Sequence, residues 1–282
     1  MITIKNYKKT ESLEEAWQLN QQRGSRILGG MLWLKMGRGT VQTAVDLSGL
    51  GLNAIEETAQ EFRIGCMVTL RELEQHTGMD SYTGGAMKEA LRHIVGVQFR
   101  NLATVGGSVY GRFGFSDVLT MFMAMDSYVE LYRGGIIPMQ EFAAMKYDRD
   151  ILVRVIVRKI PACFSYHSVR NSATDFPVLN CAAGYFQEME DLASGVSDFE
   201  ACAPVGYRVA VGARPARTIL VQDEENILSG PITCEKARAF GEYAAAHVLT
   251  GSNLRGSAQY RSHLVKVLAE RAVSESGGIR SC

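Results

Sequence analysis

The feature that most limits how this chain can fold is a run of glycines: four of the nine positions from Gly106 to Gly114 are glycine, inside Gln98-Phe-Arg-Asn-Leu-Ala-Thr-Val-Gly-Gly-Ser-Val-Tyr-Gly-Arg-Phe-Gly-Phe-Ser-Asp117. Glycine adopts conformations closed to other residues and lets the main chain come close to a neighbour or a ligand, so the stretch reads as irregular backbone built for close approach. A second pair, Gly29-Gly30, follows the short apolar segment Arg26-Ile27-Leu28, the pattern of a strand running into a glycine turn. Binding a pyrophosphate needs backbone N–H groups aimed at the anion with no side chain in the way. Thr104 and Ser108 flank Gly106-Gly107 and add hydroxyl donors. Taken singly, either glycine pair is also an ordinary turn.

The remaining totals narrow the field. With 282 residues, 46% hydrophobic and 21% charged, the chain can bury a core in two or three linked subdomains without covalent staples. Thirty basic and thirty acidic residues cancel, which removes the basic balance expected of a nucleic-acid binder. Cys66, Cys163, Cys181, Cys202, Cys234 and Cys282 form no CxxC or other close pair, so no metal is expected in this chain, and thiols in a reducing cytoplasm are. No stretch of eighteen apolar residues occurs and the N-terminus lacks an apolar core of the signal type, which speaks against membrane spanning and export.

Local patterns predict helices at Ser12–Gln22, where Ser12 and Glu15 make a capping-box pattern, at Thr69–His76, after Gly84-Gly85 through Ala90 to Ile94, from Asp117 to Met125, at Thr233–Val248 and at Ser257–Val273. In the last, Tyr260, Leu264, Val267 and Leu268 are expected to share the buried face. Strands are expected at Arg26–Leu28, Thr43–Leu47, Glu61–Ile64, Tyr128–Tyr132, Ile151–Val157, Tyr166–Arg170, Ala182–Glu188 and Tyr207–Val211. Pro161 marks a boundary, giving a domain over 1–161, with subdomains of about 1–55 and 56–161, and a second over 162–282. Gly49-Leu-Gly51-Leu-Asn-Ala54 matches the dinucleotide fingerprint as a string, yet it leads toward a strand instead of opening a helix, so a Rossmann site is not expected. There is no P-loop, no HExxH pattern and no GxSxG near a histidine.

Four blocks read in order are more specific than any one: Ile27-Leu-Gly-Gly-Met-Leu-Trp33, Ile64-Gly-Cys-Met-Val-Thr-Leu70, Arg100-Asn-Leu-Ala-Thr-Val-Gly-Gly-Ser108 with Asp117, and Arg255-Gly-Ser-Ala-Gln-Tyr-Arg261. In this order and spacing, over almost the whole chain, they resemble the medium, FAD-binding subunits of molybdenum hydroxylases, such as those of xanthine dehydrogenase, carbon monoxide dehydrogenase and nicotinate dehydrogenase. The resemblance implies an α+β protein: a two-part N-terminal FAD domain of the vanillyl-alcohol oxidase (PCMH) type, shared with peptidoglycan-precursor reductase, followed by an α+β domain of the CO dehydrogenase flavoprotein type. It also implies that FAD contacts fall on Ile27, Leu28, Gly29, Gly30, Met31, Leu32 and Trp33, on Thr104, Gly106, Gly107 and Ser108, and on Asp117, Leu152 and His167.

By the same resemblance this chain carries no acid–base residue of the hydroxylation. It takes electrons from [2Fe-2S] clusters on a small subunit, while the molybdenum cofactor sits on a large one, in a dimer of heterotrimers, and NAD is the expected acceptor. A quinone or ferredoxin acceptor, and a non-redox scaffold role, stay open at this point. Three departures bear on them: Met31-Leu32 stand where many members have Thr-Asp, Ser108 replaces an asparagine, and His167 stands near a frequent lysine.

Overall fold

A computed structural model describes residues 1–187 and 205–279. The chain builds three lobes, each around its own sheet. In the first, β1 (Ile2–Lys9), α1 (Leu13–Gln21), β2 (Ser25–Leu28) and β3 (Gly39–Asp46) give a parallel sheet in the order β1-β3-β2. Ser12 caps α1 by accepting from the Glu15 N–H at 3.1 Å, and Glu15 reaches back to the Glu11 N–H at 2.9 Å. Strand β1 has no counterpart among the expected elements: seven of its eight residues are exposed, so it shows no in–out alternation.

The second lobe contains β4 (Ile55–Glu57), β5 (Glu61–Gly65), α2 (Leu70–Gln75), α3 (Thr77–Tyr82), α4 (Ala86–Arg92), α5 (Val97–Arg100), α6 (Val105–Tyr110), α7 (Asp117–Ala124), β6 (Ser127–Leu131), β7 (Gly135–Pro138), α8 (Met139–Ala144) and β8 (Leu152–Arg158). Its antiparallel sheet runs β4-β5-β8-β6-β7. Helix α7 is buried along its whole length, which makes its Met121 and Met123 core, together with Met125 at its C-cap. No helix opens at Gly49–Ala54, and β4 follows directly, as the rejection of a Rossmann site requires.

One expectation changes here. The glycine-rich stretch is not irregular throughout, because α5 and α6 lie within it. Helix α6 forms in spite of its glycines because Thr104 caps it, accepting from the Gly107 N–H at 3.1 Å, and carbonyls after β5 take the next free donors: Val105 N–H to Val68 O and Gly106 N–H to Cys66 O, both 2.8 Å. Helix α7 starts at Asp117 as expected, and its cap is Ser116, accepting from the Leu119 N–H at 3.2 Å.

In the third lobe β9 (Ala162–Arg170), β10 (Pro177–Phe186), β11 (Gly206–Gly212) and β12 (Ile219–Val221) form an antiparallel sheet ordered β12-β11-β10-β9, covered on one face by α9 (Cys234–His247) and α10 (Ala258–Ser276). The expected strand ending at Glu188 is observed to Phe186, and Glu188 itself lies outside the described residues. The buried stripe of α10 is Leu264, Val265, Leu268, Ala269, Ala272 and Val273, while Tyr260 is exposed and Val267 half-buried, a one-position rotation from the expected face. Its cause is Arg261, fully buried, which donates to Val178 O at 2.8 Å, Gly251 O at 2.7 Å, Gly256 O at 2.6 Å and Asn253 Oδ1 at 2.6 Å. A guanidinium with all three nitrogens and four of its five donors engaged is tolerable inside, and it ties α10 to β10 and the 251–256 turn.

Cys66, Cys163 and Cys181 are free thiols, whereas Cys234 is disulfide-bonded, against the expectation of thiols throughout. Among the described residues no helix is long and apolar enough to cross a membrane.

Candidate flavin-binding cavity

Where the lobes meet lies a cavity of about 700 Å³. Its floor is laid by the two glycine segments, and their contact depends on missing side chains. A Cβ on Gly30 would come 1.8 Å from Leu102 O; one on Gly29 would meet Thr104 Oγ1 at 2.7 Å and stand 3.9 Å from the Cα of Gly107; one on Gly106 would meet Cys66 O at 2.7 Å. Gly29 and Gly30 therefore serve first to press the loop after β2 against the segment that opens α6, and Gly106 lets α6 pack on the end of β5. Gly30→Ala is expected to force that loop off Leu102, where a carbonyl cannot rotate away. The cost should lie toward the upper end of about 1–3 kcal/mol, read as a lowered urea midpoint at unchanged slope.

Gly107 differs from the other three. Its absent Cβ would meet only Thr104 Oγ1, at 3.2 Å, so it presents open backbone to the cavity. The donors differ as well. The N–H groups of Gly106 and Gly107 are spent inside the chain, on Cys66 O and Thr104 Oγ1. By contrast, the consecutive N–H groups of Gly29, Gly30, Met31, Leu32 and Trp33 donate to no acceptor among the described residues, and all five residues line the cavity. Met31 sits at φ 59, in the left-handed region that anion-binding nests use between right-handed residues. An unpaired row of main-chain donors in a concave site is the arrangement a diphosphate satisfies. Because these contacts are main-chain, the departures at Met31 and Leu32 leave them in place.

Thirteen of the fourteen expected contact residues line this cavity. His167 does not: it lies opposite Cys181 on the face of the third sheet that packs against α10, and its Nε2 is 2.8 Å from Glu275 Oε2. Asp117 reaches the cavity but is chiefly a junction. Only 4% exposed, it accepts through Oδ1 from Tyr166 Oη and from Asn180 Nδ2 at 2.9 Å, and Arg170 Nη2 stands 2.8 Å away as an ion pair without hydrogen-bond geometry. Burial, then the Asp117 charge, pushes the Tyr166 phenol well above its usual range.

Not foreseen in the sequence is the aromatic group at the cavity rim. Trp33 from the first lobe lies 5.5 Å from Phe176 of the third, and Phe115 of the second lies 4.4 Å from Phe176 and 5.2 Å from Phe113. The Arg255 guanidinium stands 4.9 Å from the centre of the Phe176 ring and pairs with Asp175 at 2.7 Å, and its bond holds the Asp175 carboxyl below the usual carboxylate range. Phe113 and Phe115 alternate with glycine in the sequence, a signal available locally; Phe176 carries none. Cys66 also lines the cavity, and burial pushes its thiol up to about 12, so it is protonated at neutral pH and no nucleophile.

A two-part N-terminal domain that offers free amides and glycine backbone to a large, mostly apolar cavity, closed by an antiparallel C-terminal lobe, defines a dinucleotide-flavin protein outside the Rossmann class. Comparison with known proteins agrees. Residues 3–161 match the FAD binding domain in molybdopterin dehydrogenase, and residues 164–276 match the CO dehydrogenase flavoprotein C-terminal domain. The chain belongs to this family and is the FAD-binding subunit of a molybdenum hydroxylase. It is 26% identical over 288 residues to the nicotine 6-hydroxylase medium subunit of Paenarthrobacter nicotinovorans, covering 96% of each chain. It is 26% identical over 235 residues to the xanthine dehydrogenase FAD-binding subunit of Escherichia coli O157:H7, covering 76% of this chain and 73% of that one. The fold superposes on a chain of carbon monoxide dehydrogenase from Hydrogenophaga pseudoflava with a TM-score of 0.82, at 19% identity and 96% coverage of both.

Proposed function

We propose that this subunit takes electrons from [2Fe-2S] clusters of a small partner subunit, delivered there from a large molybdopterin-binding subunit, and passes them to NAD, in a cytoplasmic dimer of heterotrimers. FAD, when bound, supplies the conversion between one-electron and two-electron chemistry. The chain's own work is to hold it. The amides of Gly29 to Trp33 would bind the diphosphate, Gly107 leaves it room, and Ile27, Leu28, Thr104, Gly106 and Ser108 wall the same end. Asp117 and Leu152, which also line the cavity, would help to orient FAD. His167 is left out, because its ring lies beside Glu275 on the far face of the sheet.

The observation that carries this reading is the row of five unpaired amides beside an open glycine. NAD rests on the family relationship alone, since no residue here marks a nicotinamide site, and the partners rest on what the relatives' names say of those proteins. The purified chain is expected to show a flavin spectrum and to release FAD on heating. After reduction with dithionite, NAD should restore the oxidised spectrum. Reoxidation by a quinone or ferredoxin but not by NAD would replace the acceptor, and a colourless chain that refuses added FAD would leave the scaffold reading.

A further inference from the structure

The cavity has a charge behind its wall. Arg112 lies one helical turn beyond Ser108, at φ 44 and 5% exposed, and its Nε, Nη1 and Nη2 are all without a hydrogen bond. What surrounds it is aromatic: the guanidinium carbon is 4.0 Å from the ring centre of Phe142, 5.0 Å from that of Tyr147 and 5.3 Å from that of Tyr110. Ring faces hold a cation without cancelling its charge. The acidic group that acts on it is Asp148, which is exposed and whose Oδ1 is engaged with Tyr110 Oη at 2.9 Å; Arg217 acts in the opposite sense. Burial lowers the pKa of Arg112, yet arginine keeps its proton in proteins.

Two of the three rings, Tyr110 and Tyr147, line the cavity, as does Gly111, so the charge stands one side-chain layer behind the surface. On that surface the lining carries Arg26 and Arg170 against Asp117, Asp150 and Asp175, a sum of 2 − 3 = −1. Arg170 is already occupied by Asp117 and by Asp175 O, which accepts from its Nη1 at 2.7 Å. Asp117 is paired with Arg170 and Asp175 with Arg255, so Arg26 and Asp150 are the lining charges left over and the surface itself offers an anionic diphosphate no net attraction. We propose that Arg112 is the counter-charge for the FAD diphosphate, acting through the Tyr110 and Tyr147 layer without touching it. This rests on the FAD-binding reading. Low polarisability behind the wall lets the charge act over that distance. An unpaired buried cation is a burden in the ligand-free chain, and binding the anion relieves it.

The test is Arg112→Met in the full chain, with FAD and riboflavin titrated separately into protein stripped of flavin, at low salt. Affinity for FAD is expected to fall by about tenfold or more, while affinity for riboflavin, which has no phosphate, stays where it was. Arg112→Lys should keep more of the FAD affinity than the methionine variant. The ligand-free melting temperature should not drop. Equal weakening of FAD and riboflavin, a lowered melting temperature accompanying the loss, or unchanged FAD affinity would each overturn the role given to Arg112. A wild-type chain that takes up no FAD would overturn this role and the cofactor reading together.

Discussion

Replacing Gly107 with valine is expected to give a folded chain that purifies without flavin. Gly107 has no left-handed φ to protect, and the side chain it lacks would meet only the Thr104 hydroxyl, which must give by a few tenths of an ångström. Valine is no worse than glycine inside a helix, so stability should stay within about 1 kcal/mol of the original. The branched side chain instead fills the space over the open backbone, where the diphosphate has to come close. Thermal melts of the ligand-free proteins should overlay, while heat-released FAD falls from stoichiometric to a trace. A normal flavin content in this variant would place the pyrophosphate elsewhere. The contrast with Gly30→Ala is informative, because there the added carbon strikes a backbone carbonyl and the loss of flavin comes with a loss of stability.

That contrast also marks how much of the site could be read before folding. Both glycine loops were visible because their requirement is local: a strand end, a pair without side chains, hydroxyls alongside. Helix caps were visible for the same reason, as at Ser12, Thr69 and Ser257. Strands β1, β4, β7 and β12 were not, since short or exposed edge strands lack the alternation that a buried face imposes. Helix α6 was read as irregular because glycine lowers helix propensity, whereas its donors are satisfied by carbonyls of Cys66 and Val68, some forty residues earlier, which no local pattern contains. Arg170, Phe176 and Arg112 belong to this second kind. Arg170 and Phe176 matter through what other lobes bring against them, and Arg112 through rings that lie up to thirty-five positions away in its own lobe. His167 shows the converse, since its position in the string says nothing about which face of β9 it occupies.

Asp117 is where that convergence can be measured. One carboxylate at the start of α7 holds Tyr166 and Arg170 of β9 and Asn180 of β10, and Asn180 in turn accepts from Thr120 at 3.1 Å, so the second and third lobes share a single buried polar network. Asp117→Ala would leave the Arg170 guanidinium, 7% exposed, without its ion-pair partner, along with two orphaned donors. Removing one member of a buried pair costs about 3–5 kcal/mol, and the variant should unfold at a correspondingly lower urea concentration. The double variant Asp117→Ala with Arg170→Met separates the two contributions. If the penalty comes from the stranded cation, removing that cation returns part of the lost stability, and the double variant is more stable than Asp117→Ala alone. If instead the losses simply add, Arg170 is held by the carbonyl of Asp175 and not by Asp117, and the junction between the lobes rests on Tyr166 and Asn180.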